Sequence, residues 1–231
     1  TEGVLALYRG IAPPLISLSI LNTINFTSYS YVRTRYGGTA GWDIRNGFAG
    51  MTVGPIAGMV STIENLVKTQ MQLDNVNEKR FRSSWNCVTT LVKEHGVLVL
   101  YTGHGINTAR EGVFLATYFY IYEGLREFLL PRIGTTTAVP IAGGLSGATA
   151  WFVSFPLDCI RARVQGKSLL VKNKTLTKTM NAFSVTRDIM VNRGFLALYS
   201  GVTPSIVRAF LVSGSRFSAY EGALWLLGTD R

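Results

Sequence analysis

Gly3-Val4-Leu5-Ala6-Leu7-Tyr8-Arg9-Gly10 opens the chain and returns twice. It comes back as Gly96-Val97-Leu98-Val99-Leu100-Tyr101-Thr102-Gly103, 93 residues on, and as Gly194-Phe195-Leu196-Ala197-Leu198-Tyr199-Ser200-Gly201 after a further 98. A second element keeps the same step: Asn65-Leu66-Val67-Lys68-Thr69-Gln70-Met71-Gln72 matches Asp158-Cys159-Ile160-Arg161-Ala162-Arg163-Val164-Gln165. A third set is Phe26-Thr27-Ser28-Tyr29, Phe119-Tyr120-Ile121-Tyr122 and Phe217-Ser218-Ala219-Tyr220. Three matched sets in one order mean tandem repeats, and a repeat unit fixes the architecture of the whole chain.

Composition sets the class. Of 231 residues, 47% are hydrophobic and 16% are charged, against about a quarter charged in a soluble domain. Disorder is excluded by the same balance. Two cysteines, Cys87 and Cys159, make no disulfide framework, and no Cys/His cluster has zinc spacing. The net charge of +10 suits an anionic partner, and the long apolar stretches make that partner lipid rather than nucleic acid. Nothing points to an enzyme: His95 and His104 are the only histidines, and no P-loop or nucleophile-elbow string occurs.

Apolar helical spans are predicted near 11–33, 46–67, 104–126, 138–160 and 203–226. Each is long enough to cross a bilayer, which takes ~20 residues. None is purely apolar, so hydropathy alone marks them only moderately. Gly47, Gly50, Gly54 and Gly58 form one small-residue ladder, and Gly143, Gly144 and Gly147 another. Such ladders let membrane helices approach closely. Segments 34–45 and 127–137 are short links. The long links 73–103 and 166–200 hold amphipathic stretches, Trp85–Glu94 and Met180–Asn192, expected to lie along the membrane surface. The period divides the chain into 1–37, the second helix of a first repeat, then 38–132 and 133–231. On that period roughly 50 residues of a first helix and loop are missing before Thr1, either because this is a piece of a longer chain or because the natural chain is shortened.

Phe155-Pro156-Leu157-Asp158-Cys159-Ile160-Arg161-Ala162-Arg163-Val164-Gln165 resembles the odd-helix signature of the mitochondrial carrier family. The Gly-x-x-x-x-Tyr-x-Gly elements resemble its second half, and Tyr122-Glu123 with Arg126 resembles its even-helix gate motif. The resemblance implies an all-α membrane protein of two-helix repeats around a pseudo-threefold axis. Five of six transmembrane helices are present here, with short matrix surface helices. It further implies a multi-pass protein of the mitochondrial inner membrane, working by alternating access, usually as an antiporter, between two salt-bridge gates.

In the family's pairing, the matrix gate joins Asp158 to Lys68 and gives Arg161 an acid on the missing helix. Gln72 and Gln165 take the brace positions below. Asn65 stands in the acid position of the second repeat and Ile63 in the proline position. The cytoplasmic gate would use Arg33 with Glu221, together with Glu123, Arg126, Tyr122 and Tyr220. Ser30 sits where an acid would face Arg126, and Leu224 where a base would face Glu123. Charges recurring in register inside apolar spans are expected to be paired and to line a wet cavity. Isolated ones would merely snorkel to the head groups.

Ser17, Arg110 and Arg208 lie equivalently within the even helices. Arg110-Glu111 and Arg208-Ala209-Phe210 resemble the branch carrying carnitine, acylcarnitines and basic amino acids. A planar Arg fork suits a carboxylate. Glu111 suits an ammonium, with Tyr118 adding a cation–π contact. The expected substrate is therefore a small zwitterion, bound by Arg110, Glu111, Arg208, Asn22, Asn25 and Arg216. No acid accompanies Asn22 and Asn25, which disfavours a dibasic amino acid. The bland reading is an internal Arg110–Glu111 or Glu111–Arg208 ion pair with only a packing role. The branch's proline after the contact residue is replaced by Gly112-Val113 and by Leu211, so straighter helices are expected, with Gly112 and Gly214 as local substitutes. Thinned gates and missing kinks raise a second reading, a carrier-fold subunit of a larger inner-membrane complex. No cofactor is expected, and cardiolipin is expected at helix starts near Gly10, Gly103 and Gly201.

Overall fold

The computed structural model describes residues 12–36, 40–76, 81, 83–166 and 182–207. Among the described residues α-helices run in order as α1 (Ala12–Tyr36), α2 (Ile44–Val76), α3 (Ser84–His95), α4 (His104–Gln165) and α5 (Ala182–Arg193), and 202–207 are helical as well. No strand occurs among the described residues. α4 is two antiparallel limbs joined at Gly134, whose φ of 73° and ψ of 166° break the helix. Limb 104–133 and limb 135–165 correspond to the predicted spans near 104–126 and 138–160. Among the described residues, only Thr137–Gln165 is apolar enough by composition alone to mark a membrane crossing. That agrees with spans diluted by Gly, Thr and buried charge.

α1 packs against α2 and the first limb of α4 through Tyr29, Ala49, Val53, Ala57, Leu115 and Phe119. The Tyr29 and Phe119 rings lie parallel, 3.5 Å apart at their centroids. The first glycine ladder sets how close α2 comes to that limb. A Cβ on Gly50 would sit 2.5 Å from the Leu115 carbonyl oxygen, and one on Gly54 2.6 Å from the Gly112 Cα. Gly112 thus takes part in this close approach of the two helices. The second ladder behaves differently. Among the described residues, added Cβ atoms at Gly143 and Gly147 would meet Tyr118, its hydroxyl and its ring, at ordinary distances of 3.8 and 3.9 Å.

The two long links hold the surface helices the sequence predicts. α3 buries Cys87 and Leu91 against Val67 of α2 and Phe81. α5 buries Val185 and Ile189 against Ile160 and Val164 of α4. Each runs into a 3-10 turn, Val97–Tyr101 and Phe195–Tyr199, whose flanking glycines explain the founding repeat. Gly96 and Gly194 have φ of 81° and 77°, and Gly103 and Gly201 of 75° and 90°. Only glycine occupies that region without strain, so both ends of the motif are backbone requirements.

Candidate functional site

Arg110 sits on the first limb of α4, one residue before Glu111, and both are buried, 8% and 9% exposed. Its Nη1 donates to Glu111 Oε1 at 2.9 Å. Its Nε approaches Asp158 Oδ1 on the second limb at 3.5 Å. The guanidinium lies over the rings of Phe114 and Trp151, 5.0 and 4.9 Å from their centroids. Two acids and two aromatic faces therefore hold one cation, the arrangement a charge needs when it leaves water. Trp151 belongs to the site on this geometry. The expected aromatic, Tyr118, instead continues a stack from Phe114 to Tyr122, with centroid spacings of 6.2 and 5.9 Å.

Asp158 draws a second cation. Arg161, one turn on, gives its Nε and Nη2 to the same Oδ1 at 3.0 and 2.8 Å. Arg161 Nη1 reaches Gln165 Oε1 at 3.2 Å. Gln165 is fully buried; its Nε2 donates to the Thr102 carbonyl at 3.3 Å, and its own carbonyl accepts from Gln70 Nε2 at 2.7 Å. The expected Lys68–Asp158 pair is absent among these contacts, and Lys68 is exposed. Gln72 is exposed as well, and Gln70 makes the contact to Gln165 instead. Helix periodicity accounts for both corrections. Thr62, Leu66 and Gln70 recur four apart on the buried face of α2, which puts Lys68 and Gln72 together on its open face. Arg161 takes its acid from its own helix, in place of the expected one on a preceding helix.

Asn65, in the acid position, has a different occupation. Its Nδ2 donates to Asn107 Oδ1 at 3.3 Å. Asn107 is fully buried and donates to Ser61 Oγ at 2.8 Å and Thr62 Oγ1 at 3.0 Å. Thr62 gives its hydroxyl proton to the Gly58 carbonyl, so it accepts from His104 Nδ1 at 3.0 Å, which makes that nitrogen the protonated one. Neutral hydrogen bonds thus clamp α2 to α4 at the position where the family's pattern has an acid. Buried amides and hydroxyls spread along separate helices gave no motif to find them by.

At the other end Arg33 of α1 donates through Nη1 to Glu123 Oε1 at 3.0 Å, and Arg126 lies 3.9 Å from Glu123 Oε2. Glu123 is 4% exposed. The sequence pairing left Glu123 without a base and Arg126 without an acid; in the structure this carboxylate serves both arginines. Ser30 is exposed. Tyr122 stacks on Tyr118. Asn25 is half-buried, with an Oδ1 sealed from solvent and no hydrogen bond, whereas Asn22 is exposed. Arg208, Arg216, Tyr220 and Glu221 lie outside the described residues, as do Gly10 and Gly214.

The profile of the family described as "Mitochondrial carrier protein" matches residues 43–132 and 134–230. The chain belongs to the mitochondrial carrier family. Its relatives include mitochondrial ornithine transporter 1 of Rattus norvegicus, 30% identical over 95% of this chain and 76% of that protein. The mitochondrial arginine transporter BAC2 of Arabidopsis thaliana is 27% identical over 96% of this chain and 75% of that one. The succinate/fumarate mitochondrial transporter of Saccharomyces cerevisiae is 29% identical over 95% and 72%. A carrier is thus a repeat-built helical transporter of small solutes, and this chain is one.

Proposed function

We propose that this mitochondrial carrier moves a small zwitterion of the basic amino acid type, of which ornithine is the first to test, across the inner membrane by alternating access. The observation that carries the reading is the buried Arg110–Glu111 pair, which presents a cation and an anion side by side, 2.9 Å apart. A substrate carboxylate suits the guanidinium, and its α-ammonium suits Glu111. Asp158, 3.5 Å from Arg110, adds a second acid to the neighbourhood. This outweighs the absence of an acid beside Asn22 and Asn25, and it favours a second positive group on the substrate over a quaternary carnitine. Two relatives are named for ornithine and arginine. The relative named for succinate and fumarate makes dicarboxylates the natural control: Glu111 and Asp158 would repel a second carboxylate. Arg208 and Arg216 are proposed to complete the cation side of the passage. Lys68, Asp158, Arg161 and Gln165 are proposed to close it toward the matrix, and Arg33, Glu123 and Arg126 toward the other side. Cardiolipin is proposed at the helix starts after Gly103 and Gly201, where amides without helical partners meet phosphate.

The test is exchange of labelled ornithine by proteoliposomes holding the full-length protein. Uptake should fall at least tenfold in Glu111→Gln and in Arg110→Gln, and labelled succinate should not enter. Succinate uptake with no ornithine uptake would overturn the reading. Failure of every solute, with the protein co-purifying stoichiometrically in a respiratory complex, would support a structural subunit instead.

A further inference from the structure

The link that enters α2 is docked on the first limb of α4 through two glycines, one on each side of the contact. Gly124 is buried, and a Cβ there would lie 2.5 and 2.6 Å from Cε3 and Cε2 of Trp42, so the indole rests on bare backbone. One turn earlier, Tyr120 meets the same indole edge to face, with centroids 5.6 Å apart. One turn later, the Glu127 carboxylate fills the space that a side chain on Gly41 would need, and Gly41 itself sits at a φ of 91°. The link is tied to α2 as well: the Gly41 carbonyl accepts from the Asp43 amide at 2.8 Å and from Nδ2 of the fully buried Asn46 at 3.3 Å. Trp42 therefore sets the height of the first limb against α2, at the residue that follows Glu123. We propose that Trp42 is the positioning residue of the Arg33–Glu123–Arg126 cluster: seated on Gly124, it holds the Glu123 carboxylate level with Arg33 and so keeps this end of the bundle closed.

Glu123 depends on such support, because it is 4% exposed and its nearer cation, Arg33, belongs to another helix. Their bond is 3.0 Å long. Sliding the limb by one residue's rise, about 1.5 Å, would stretch it to the limit of hydrogen bonding or past it. Arg126 rides on the same helix as Glu123 and does nothing to resist that slide. A tryptophan near a membrane surface can instead serve as an interfacial anchor. An anchor is indifferent to the residue beneath it, whereas here a single methyl group on Gly124 would overlap the indole. The inference rests on the proposed function only for what the cluster closes.

Thermal unfolding of the full-length protein in detergent tests the positioning without any solute, as a double-mutant cycle. Arg33→Gln should lower the wild-type midpoint by several degrees, and by less than half as much once Trp42→Ala or Gly124→Ala has freed the limb. Trp42→Phe, which keeps a ring on Gly124, should restore the full cost. Equal costs of Arg33→Gln in every background would overturn the proposal. A reduced cost in Trp42→Ala but not in Gly124→Ala would overturn it as well, assigning Trp42 to the lipid interface. Where Gly124→Ala does not fold, Trp42→Ala and Trp42→Phe carry the cycle alone. A second measurement reads closure, in mitochondria stripped of their outer membrane. A membrane-impermeant thiosulfonate should label Tyr118→Cys, with Cys87 and Cys159 replaced by serine, at least threefold faster when Trp42 is also replaced by alanine. Unequal costs in the cycle with unchanged labelling would support Trp42 as the positioning residue and contradict the cluster as a gate.

Discussion

Arg110 is bracketed by carboxylates on two sides and by aromatic rings, and little in its immediate sequence except Glu111 and Phe114 announces this. The adjacent opposite charges inside an apolar span were legible, because a charge there has few cheap explanations. Asp158 and Trp151 as its partners were not, since which side chains meet across two helices depends on rotation about each axis. The same limit explains Gln72 and Gln70: they stand two positions apart on α2 and on nearly opposite faces. A charge-assisted bond contributes about 1.5–3 kcal/mol, so Glu111→Gln should raise the KM for ornithine about 10- to 100-fold. Arg33→Gln tests the opposite end of the passage. It leaves the Glu123 carboxylate, 4% exposed, with only the 3.9 Å contact to Arg126 among these ion pairs. It should lower stability by about 1–3 kcal/mol, read as a drop in the thermal midpoint.

Among the elements, helix spans and the two surface helices could be read from periodicity and repeat spacing, because both are local properties. Trp85–Glu94 and Met180–Asn192 correspond to α3 and α5. The founding Gly-x-x-x-x-Tyr-x-Gly motif also had a local cause, two backbones at positive φ around a 3-10 turn. Helix contact was only half legible. Both glycine ladders carry the same spacing, yet among the described residues one lies against a neighbouring backbone and the other faces Tyr118. Gly54→Ala should therefore force α2 from α4 and cost about 1–3 kcal/mol, a fall of several degrees in the midpoint. Gly147→Ala should move the midpoint by less than about 1 °C. A large loss from both would mean that the second ladder carries a close contact too. Asn107→Leu belongs with these. It strips Ser61, Thr62 and Asn65 of a shared partner and should destabilise by about 1–3 kcal/mol.

Across the molecule, charged and polar side chains form two networks at opposite ends of the bundle, joined by the aromatic stack from Phe114 to Tyr122. Repeats predicted that the charges would recur in register; they could not predict that Asp158 would take Arg110 and Arg161 in place of Lys68, or that Glu123 would gain two arginines. Glu123 gathers two arginines and Asp158 gathers two more, as follows when a repeat lacks one charge of a pair and the remaining groups find the nearest compensation. Function depends on whether the Arg110–Glu111 pair borders water. Charged, membrane-impermeant thiosulfonate applied to Glu111→Cys, in full-length protein whose Cys87 and Cys159 are replaced by serine, measures this directly. The account predicts rapid labelling from the aqueous phase, slowed at least fivefold by ornithine. Labelling only by a lipid-soluble maleimide, unaffected by ornithine, would contradict it.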